Sequence, residues 1–340
     1  MNSVPRHFNI PIFVPELACP NRCVFCNQFY ISGVIKQPSE KEIIQQINTY
    51  LSSIEEIKEE TIVEIAFFGG NFTGIPIDIQ ENYLKLVQPY IESKRVHGIR
   101  ISTRPDYIDE QRLALLKKYN VIAIEMGVQS LDEEVLIFSG RGHSINDVEN
   151  AVELIKKYNF ELGLQMMIGL PSDTKEKSMN TAQKIVDYKP STVRIYPTLV
   201  IKNTALEQLY NNNLYKALSI DEAVNWTKDI LLLFEKNKIR VIRTGLHPSE
   251  DFTNGNTMLA GPFHASFKEL VISEIWLDIF KNCTFNFSHS EITICVSKIE
   301  INYAVGYKSK NKAWLQEKFK KVNFKENSSL TGRNYEVHYS

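Results

Sequence analysis

Three cysteines near the start of the chain have the residue type and the spacing to hold a metal cluster. Cys19, Cys23 and Cys26 form the pattern C-x-x-x-C-x-x-C, and Phe25 directly precedes the last of them. Thiolates in so short a loop can converge on one iron–sulfur cluster. A cubane cluster usually takes four thiolates, so three leave one iron with a position for another ligand. The spacing therefore predicts a 4Fe–4S site that is open to a small molecule.

A structural zinc site is the alternative for these cysteines. Zinc in such sites takes four protein ligands, usually from paired C-x-x-C knuckles. The sequence has no second knuckle, and the two remaining cysteines, Cys283 and Cys295, lie far along the chain. Those two could join an auxiliary cluster, but isolated cysteines in a β-rich segment are more often buried as small hydrophobic residues. The spacing favours the cluster over zinc.

Apolar, β-rich runs alternate with helix-like segments along most of the chain. The runs lie near residues 8–15, 61–68, 98–103, 122–128, 161–168 and 192–198, and residues 238–245 are a candidate for a further strand. Ser39 followed by Glu42 is a capping box that begins the first helix. This alternation predicts βαβ units and a parallel sheet, a partial six-stranded version of the TIM-like barrel. Active sites of such barrels lie at the carboxyl ends of the strands, and the three cysteines follow the first strand.

The pattern changes after about residue 245. We predict a core over residues 1–245, a connecting segment over 246–289 that opens with the loop-like stretch 248–262, and a small α+β domain over 290–340. The expected order in this last domain is a strand at 290–297, a helix at 298–305, the turn Gly306-Tyr307-Lys308-Ser309, a basic helix at 310–322 and a short final strand. A chain of 340 residues is long enough for two domains.

Charge and composition argue against some classes of function. The chain has 39 Lys and Arg against 40 Asp and Glu, so the whole molecule has no long-range attraction to nucleic acid or to a membrane. Any basic surface must be local. Residues 1–9 lack the pattern of a signal peptide, and no apolar run approaches the roughly 20 residues that span a bilayer. We therefore expect a cytoplasmic protein with no membrane partner.

Seven stretches, in the order of the predicted strands, carry a family resemblance. They lie at residues 19–26, 68–73, 101–106, 125–130, 141–143, 169–171 and 194–201. On these stretches the chain resembles the radical S-adenosylmethionine (SAM) enzymes and, more narrowly, the radical domain of the tRNA-modifying Elongator catalytic subunit family. The resemblance covers roughly residues 8–245 and does not extend to the acetyltransferase domain of that family, since only about 95 residues follow. Acetyl transfer is therefore not implied.

The resemblance implies a cofactor and a chemistry. SAM would occupy the open iron through its amino and carboxylate groups, and an electron from the 4Fe–4S cluster would cleave it to a 5′-deoxyadenosyl radical. The three cysteines would thus be catalytic as well as metal ligands. A reductant such as flavodoxin or ferredoxin would supply the electron. In chemistry of this kind the protein contributes binding, orientation and shielding.

The resemblance also assigns residues to the cofactor. Gly69 and Gly70 would contact the amino group of the methionine portion, Arg141 its carboxylate, and Gly169 and Leu170 the adenine side. Phe25 would pack against the cluster or the adenine. Asn71 stands where the family more often has Thr or Glu. Polar residues at strand ends complete the set as partners for ribose hydroxyls or a carboxylate, with salt bridges as the alternative: Ser102, Arg104, Glu125 and Gln129.

The predicted C-terminal domain resembles a minimal KH RNA-binding module. Such modules clamp nucleotide backbone in a G-x-x-G turn between two helices, and here Ser309 replaces the second glycine. From Gly306 to Lys325 there are seven lysines and one glutamate. The candidate RNA-binding residues are Gly306, Tyr307, Lys308, Lys310 and Lys312. Tyr307 and Trp314 could stack on bases, and a solvated lysine-rich face is the alternative.

Three functions follow from these patterns. The leading hypothesis is radical modification of RNA, with tRNA as the expected substrate. The second keeps the radical chemistry but replaces RNA with a small molecule or a protein side chain. The third is a non-catalytic RNA-binding or zinc-stabilised protein. Reductive cleavage of SAM separates the first two hypotheses from the third, and co-purifying RNA separates the first from the second.

Overall fold

Seven parallel strands form the main sheet of the computed structural model, which describes residues 7–14, 19, 23–27, 37–54, 61–246 and 257–340. Neighbouring strands pair in the order β1-β2-β3-β4-β5-β6-β8. Their bounds are β1 His7–Phe13, β2 Ile62–Phe68, β3 Gly98–Thr103, β4 Val121–Gln129, β5 Glu161–Ile168, β6 Thr192–Pro197 and β8 Arg240–Thr244. The sheet curls into a half-barrel. The predicted partial barrel is confirmed, and the candidate strand near residues 238–245 becomes its seventh strand.

Helices connect the strands, as parallel pairing requires. Their bounds are α1 Glu40–Ser53, α2 Ile77–Glu92, α3 Glu110–Lys118, α4 Glu133–Phe138, α5 Ile145–Lys157, α6 Lys175–Asp187, α7 Ala205–Asn211 and α8 Ile220–Lys236. Helix α1 begins at the predicted capping box, where the backbone N–H of Glu42 donates to Ser39 Oγ at 3.3 Å and that of Ser39 donates to Glu42 Oε2 at 2.7 Å. A short antiparallel pair, β7 (Val200–Ile201) with β9 (Met258–Ala260), lies after β6.

Aliphatic side chains from neighbouring strands meet in one continuous core. The fully buried members on the sheet include Ile10, Ile65, Ile99, Ile124 and Ile195. Helices α1, α2 and α5 bury Ile47, Leu84 and Ile155 against them. Burying one such side chain stabilises the fold by roughly 1.5–3 kcal/mol, so the sheet is a rigid support for the loops at its carboxyl edge.

The C-terminal part of the chain has a separate sheet. Its three strands pair in the order β11-β10-β12, with bounds β10 Glu291–Val296, β11 Lys321–Glu326 and β12 Tyr335–Tyr339. Helix α9 (Phe267–Asn282) packs beside it, and the indole N–H of Trp276 donates to Glu300 Oε2 at 2.7 Å. Two short helices, α10 (Ile301–Val305) and α11 (Lys310–Gln316), flank the predicted turn.

The basic helix predicted at residues 310–322 is shorter in the structure. Helix α11 ends at Gln316, and residues from Lys321 onward belong to β11. The cause is tertiary: Val322 is buried in the core, and β11 pairs in parallel with β10. None of the described helices is long and apolar enough to cross a membrane. The division into three segments, at residues 245/246 and 289/290, stays a prediction.

Candidate cofactor site

The cysteine loop is held by backbone contacts from distant parts of the chain. The N–H of Val24 donates to the carbonyl of Ser139 at 3.0 Å, and the carbonyl of Val24 accepts from the N–H of Leu206 at 2.8 Å. Beside it, Asn27 Nδ2 donates to the carbonyl of Lys202 at 3.3 Å. The end of α4 and the start of α7 therefore position this loop.

A small apolar cluster surrounds the loop. Phe25 and Cys23 are buried in it together with Met167, Leu170 and Val200. Two residues predicted to line the adenine side, Phe25 and Leu170, thus lie in one cluster although they follow different strands. Their apolar side chains pack around Cys23, which is buried, whereas Cys19 and Cys26 are half-buried.

The glycine pair after β2 has backbone angles that disfavour any side chain. Gly69 has a φ of +108°, and a Cβ atom there would lie 2.7 Å from the carbonyl oxygen of Val14. Gly70 has a φ of +140°. Both are half-buried at the carboxyl edge of the sheet. Gly69 is thus required by its close packing against Val14, and the positive φ of Gly70 also favours glycine. The contact of this turn with a ligand stays a prediction.

Asn71 and the end of β3 form the next part of the site. Asn71 is buried, and its side-chain oxygen accepts from the backbone N–H of Arg104 at 3.3 Å. Ser102 is half-buried one position before Thr103, the last residue of β3. The side chain of Asn71 thus contacts the protein itself and supports the chain that carries Arg104.

Two buried arginines converge on the cysteine loop. Arg104 donates from Nε and Nη2 to the carboxylate of Asp106, each at 2.9 Å, and from Nη2 to the carbonyl of Arg141 at 2.6 Å. Arg141 donates from Nη2 to the carbonyl of Gly127 at 2.6 Å and from Nη1 to Cys23 Sγ at 3.2 Å. Burial alone would lower the pKa of Arg104, but the bond and charge of Asp106 and then the nearby thiols raise it.

The arrangement of the two arginines fits an anionic ligand. Arg104 Nη1 and Arg141 Nε are buried and have no hydrogen-bond partner among the described residues. A buried charged donor without a partner is costly, so these N–H groups suit a carboxylate beside the cysteine loop. Within the described ranges, no three His, Cys, Asp or Glu side chains are grouped closely enough to hold a single metal ion. The joint role of the three cysteines stays a prediction.

Glu125 and Gln129 lie at different depths of β4. The carboxylate of Glu125 pairs with Arg194, at 2.5 Å from Nε and 2.9 Å from Nη2, and lies 3.5 Å from Arg100 Nη1. The structure thus places Glu125 in the salt-bridge arrangement that the sequence left open. Gln129 is buried, and its amide nitrogen lies 2.9 Å from where a Cβ of Gly127 would be. It is therefore grouped with Arg141, which contacts the same glycine.

The Gly169–Leu170 loop is held by hydrogen bonds to both backbone groups of Gly169. The N–H of Gly169 donates to Asp173 Oδ2 at 2.8 Å, and its carbonyl accepts from the hydroxyl of Tyr215 at 2.6 Å. A Cβ at Gly169 would lie 2.6 Å from the side chain of Leu218. The predicted adenine-side loop is thus rigidly positioned.

Comparison with known protein families agrees with this geometry. Residues 16–185 match the family model described as the radical SAM superfamily, and residues 190–276 match a radical SAM C-terminal domain. The chain belongs to the radical SAM superfamily. Its predicted site residues from Cys19 to Leu170 all lie in the first matched region, while Lys202, Leu206 and Tyr215, which support the site, lie in the second.

Relatives of this radical SAM protein include tRNA-modifying proteins. It is 25% identical to a tRNA uridine(34) acetyltransferase of Dehalococcoides mccartyi, over 61% of this chain and 52% of that protein. It is 30% identical to Elongator complex protein 3 of Saccharomyces cerevisiae, over 56% of this chain and 34% of that protein. The chain therefore spans about half or less of the length of these relatives.

A solved structure shows the same fold. The archaeal Elp3 of Methanocaldococcus infernus superposes with a TM-score of 0.62 at 20% identity, over 82% of this chain and 64% of that one. At this identity the likeness establishes the radical SAM fold and no more.

Three buried or half-buried residues that lie in the candidate site were not predicted. His143 is buried, and burial, followed by the charges of Arg141 and Arg104, lowers its pKa to about 3, so its imidazole is neutral. Burial raises the pKa of Asp173 to about 6. The Arg-Gly-His and Gly-Leu-Pro-Ser-Asp stretches point to these two residues. Tyr215 has no local signal, because its contact with Gly169 spans 46 positions.

The turn predicted to bind RNA lies against α9. Gly306 has a φ of +87°. The backbone N–H of Tyr307 donates to Ser273 Oγ at 3.1 Å, and its ring meets that of His264 edge-on at 5.0 Å. Lys308 and Lys310 are exposed and Lys312 is half-buried. Lys310 pairs with Glu274 at 2.9 Å, so part of its charge is neutralised. The role of these five residues in binding RNA stays a prediction.

Proposed function

We propose that this radical SAM protein cleaves SAM reductively and uses the radical produced to modify tRNA. The observation that carries the proposal is that Arg104 Nη1 and Arg141 Nε are buried without a hydrogen-bond partner among the described residues, while Arg141 Nη1 contacts Cys23 Sγ. When bound, a 4Fe–4S cluster supplies the electron that breaks a carbon–sulfur bond of SAM. A low-potential donor such as flavodoxin or ferredoxin would deliver that electron.

The residues of the chain bind and shield the reactants. Cys19, Cys23 and Cys26 would hold the cluster, and the N–H groups at Arg104 Nη1 and Arg141 Nε would bind the carboxylate of SAM. The open main chain at Gly69 and Gly70 would receive its amino group. The apolar surface of Phe25 and Leu170 would contact the adenine and exclude water, which protects a reactive intermediate from side reactions.

The tRNA substrate is supported by the relatives. Several of them are named tRNA uridine(34) acetyltransferase, and they match 53–61% of this chain. Lys308 is exposed and offers a local positive charge on a nearly neutral protein, beside Lys310, which is paired with Glu274. Phosphate contacts through such lysines would add affinity without sequence preference.

The decisive experiment is anaerobic reconstitution with iron and sulfide, followed by an assay for 5′-deoxyadenosine under a strong reductant. We expect 5′-deoxyadenosine to form slowly with SAM alone and faster with total tRNA, together with a new nucleoside mass in the digested tRNA. The Cys23→Ala variant is the matched control and should form none.

Two results would reject parts of the proposal. No 5′-deoxyadenosine from the iron-loaded protein would reject the radical chemistry. If tRNA does not change the rate of 5′-deoxyadenosine formation and no altered nucleoside appears, tRNA would be rejected as the substrate. A small molecule or a protein side chain would then be the alternative substrate.

A further inference from the structure

Arg141 makes a hydrogen bond to the sulfur of a predicted cluster ligand. Its Nη1 lies 3.2 Å from Cys23 Sγ. Arg141 is 6% exposed and Cys23 is 7% exposed, so water does not compete for this contact. A charged N–H donor acts on a thiolate most strongly where solvent is excluded.

The guanidinium of Arg141 is held in place by contacts on its other atoms. Nη2 donates to the carbonyl of Gly127 at 2.6 Å, and the backbone N–H of Arg141 donates to the carbonyl of Leu136 at 3.0 Å. The carbonyl of Arg141 itself accepts from Arg104 Nη2 at 2.6 Å. Because these contacts hold both the guanidinium and the backbone of Arg141, they fix the side-chain rotamer that brings Nη1 to Cys23 Sγ.

Different atoms of Arg141 face different groups. Nη1 contacts the sulfur, Nη2 contacts the Gly127 carbonyl, and Nε is the atom without a partner among the described residues. A carboxylate bound at Nε would therefore leave the bond to sulfur intact. The two roles can be separated by measuring the cluster in the absence of SAM.

We propose that Arg141 is a positioning residue that raises the reduction potential of the cluster through its hydrogen bond to Cys23. This inference rests on the proposed cluster. Hydrogen bonds to sulfur and net charge set the potential of iron–sulfur clusters. Reduction adds negative charge, so a fixed cation that donates to a ligand sulfur stabilises the reduced form more than the oxidised form and makes the electron easier to accept.

The test compares wild-type protein with three variants in redox titrations without SAM. The variants are Arg141→Gln, Arg141→Lys and Arg95→Gln. All four proteins are reconstituted to equal iron content, and the reduced cluster is followed by electron paramagnetic resonance. In Arg141→Gln we expect the ratio of reduced to oxidised cluster at a fixed potential to fall about tenfold, which is a midpoint shift of about 59 mV for one electron. Arg141→Lys keeps the charge but lacks the planar fork, so its shift should be smaller.

Arg95→Gln is the matched control for loss of a positive charge. Arg95 is exposed and precedes β3 at its amino end, whereas the cysteine loop follows the carboxyl end of β1 in the same parallel sheet. We expect its potential to equal that of wild type. A wild-type potential in Arg141→Gln, or equal shifts in Arg141→Gln and Arg95→Gln, would overturn the inference.

A second measurement detects the bond itself. In protein labelled with ¹⁵N-arginine, the reduced wild-type cluster should show a hyperfine coupling to ¹⁵N that Arg141→Lys lacks. If Arg141→Gln fails to take up iron, the inference is tested by the ¹⁵N coupling of wild type and by the midpoint potential of Arg141→Lys. A wild-type cluster without ¹⁵N coupling, together with an Arg141→Lys potential equal to that of wild type, would reject the inference. A wild-type protein that binds no cluster rejects the proposed function together with it.

Discussion

The side-chain oxygen of Asn71 accepts a hydrogen bond from the hydroxyl of Thr103 at 2.8 Å, which joins the turn after β2 to the end of β3. The same oxygen accepts from the backbone N–H of the next residue, Arg104. One buried acceptor therefore sets the position from which the Arg104 side chain reaches toward Asp106 and Arg141. The Asn71 amide thus joins the turn that offers main chain to a ligand to the strand that carries the cation, and a hydrogen bond between the hydroxyls of Thr73 and Thr103 joins the same two segments.

Replacing Asn71 by Ala should weaken both the fold and cofactor binding. Loss of the acceptor leaves the Thr103 hydroxyl and the Arg104 N–H without this partner, at a cost of about 1–3 kcal/mol in the free energy of unfolding. We expect the dissociation constant for SAM to rise about tenfold, or about 1.4 kcal/mol. Asn71→Asp keeps an acceptor at the same place and should retain most of the affinity. Equal loss in both variants would show that this bond does not position Arg104.

Replacing Cys19, Cys23 or Cys26 by Ala should abolish the cluster. Each change removes one of three thiolates, and no other cysteine is close in sequence to replace it. Iron content and visible absorbance after reconstitution measure the effect, and Cys283→Ala, at the end of α9, is the control that should keep both. A triple variant that retained full iron content would disprove the ligand assignment.

Gly70→Val should block SAM binding while the cluster remains. A β-branched side chain is strained at a φ of +140° and would fill the space above the open main chain. We expect at least a tenfold loss of SAM affinity by calorimetry with unchanged iron content. Gly332→Val is the control for backbone strain, since Gly332 has a φ of +56° and nothing lies within 4 Å of its Cβ position. Unchanged affinity in Gly70→Val would place SAM elsewhere.

Charge reversal at Lys308, Lys310 and Lys312 should weaken RNA binding. Each lost contact near a phosphate is worth about 0.5–1 kcal/mol at moderate salt, by analogy with surface ion pairs, so the triple Glu variant should bind tRNA at least about tenfold more weakly. The wild-type affinity should fall steeply with salt because binding releases counterions. The variant should still cleave SAM slowly without RNA.

The control for this variant reverses three exposed lysines elsewhere, Lys41, Lys156 and Lys236. It makes the same change in net charge, so the two triple variants should differ if the lysines near Gly306 form the binding surface. Similar losses in both would indicate a general charge effect. Wild-type protein with no salt-sensitive RNA binding would remove the basis for the predicted surface.

The stability of the apoprotein should depend on pH through Asp173. Burial raises the pKa of this carboxyl from 3.8 to about 6. Because the pKa of Asp173 is raised in the folded state, its protonated form favours folding. The contribution of this carboxyl to the free energy of unfolding is therefore complete below pH 3.8 and is lost as the pH rises through about 6. A shift of about two pKa units corresponds to about 3 kcal/mol at most.

Asp173→Asn should remove this dependence. In urea titrations from pH 4 to 7, the difference in unfolding free energy between the variant and wild type should shift in favour of the variant as the pH rises. Asn retains an acceptor for the Gly169 N–H, so the loop should stay in place. Stability curves of wild type and variant that run parallel over this range would contradict the raised pKa. Asp78→Asn, at an exposed carboxylate on α2, is the control.

The strands could be predicted from sequence, whereas helix α9 could not. Strands such as β5 (Glu161–Ile168) are buried on both faces and read as short apolar runs. Helix α9 is buried around most of its circumference, with Val271, Ile275, Trp276 and Phe280 all inside. Its polar stripe is narrow, with Glu274, Asp278 and Lys281, so the 3.6-residue pattern that indicates a helix is weak. The predicted connecting segment therefore contains a helix whose amphipathic pattern is weak.

Within the site, sequence could predict which residues follow the strands but not which partners they have. Arg141 was assigned to a carboxylate, and its bond to Cys23 crosses 118 positions. Glu125 lies at a strand position that is compatible with a ligand, yet Arg194, 69 positions away, takes up its carboxylate. Such pairings depend on which strands become neighbours and on how deep each side chain lies, and neither is encoded in local spacing.

The anchoring of the cysteine loop imposes an order on biosynthesis. The thiols leave the ribosome early, but Lys202, which accepts from Asn27, is 175 residues further along, and Leu206 follows it. Contacts so distant in sequence form late in folding. A nascent chain that ends before α7 therefore displays three cysteines without the backbone that fixes their loop, so iron and sulfide delivered at that stage would meet an unformed site. Loading should follow completion of the barrel, and a ribosome-stalled chain ending before Lys202 should incorporate no stable cluster.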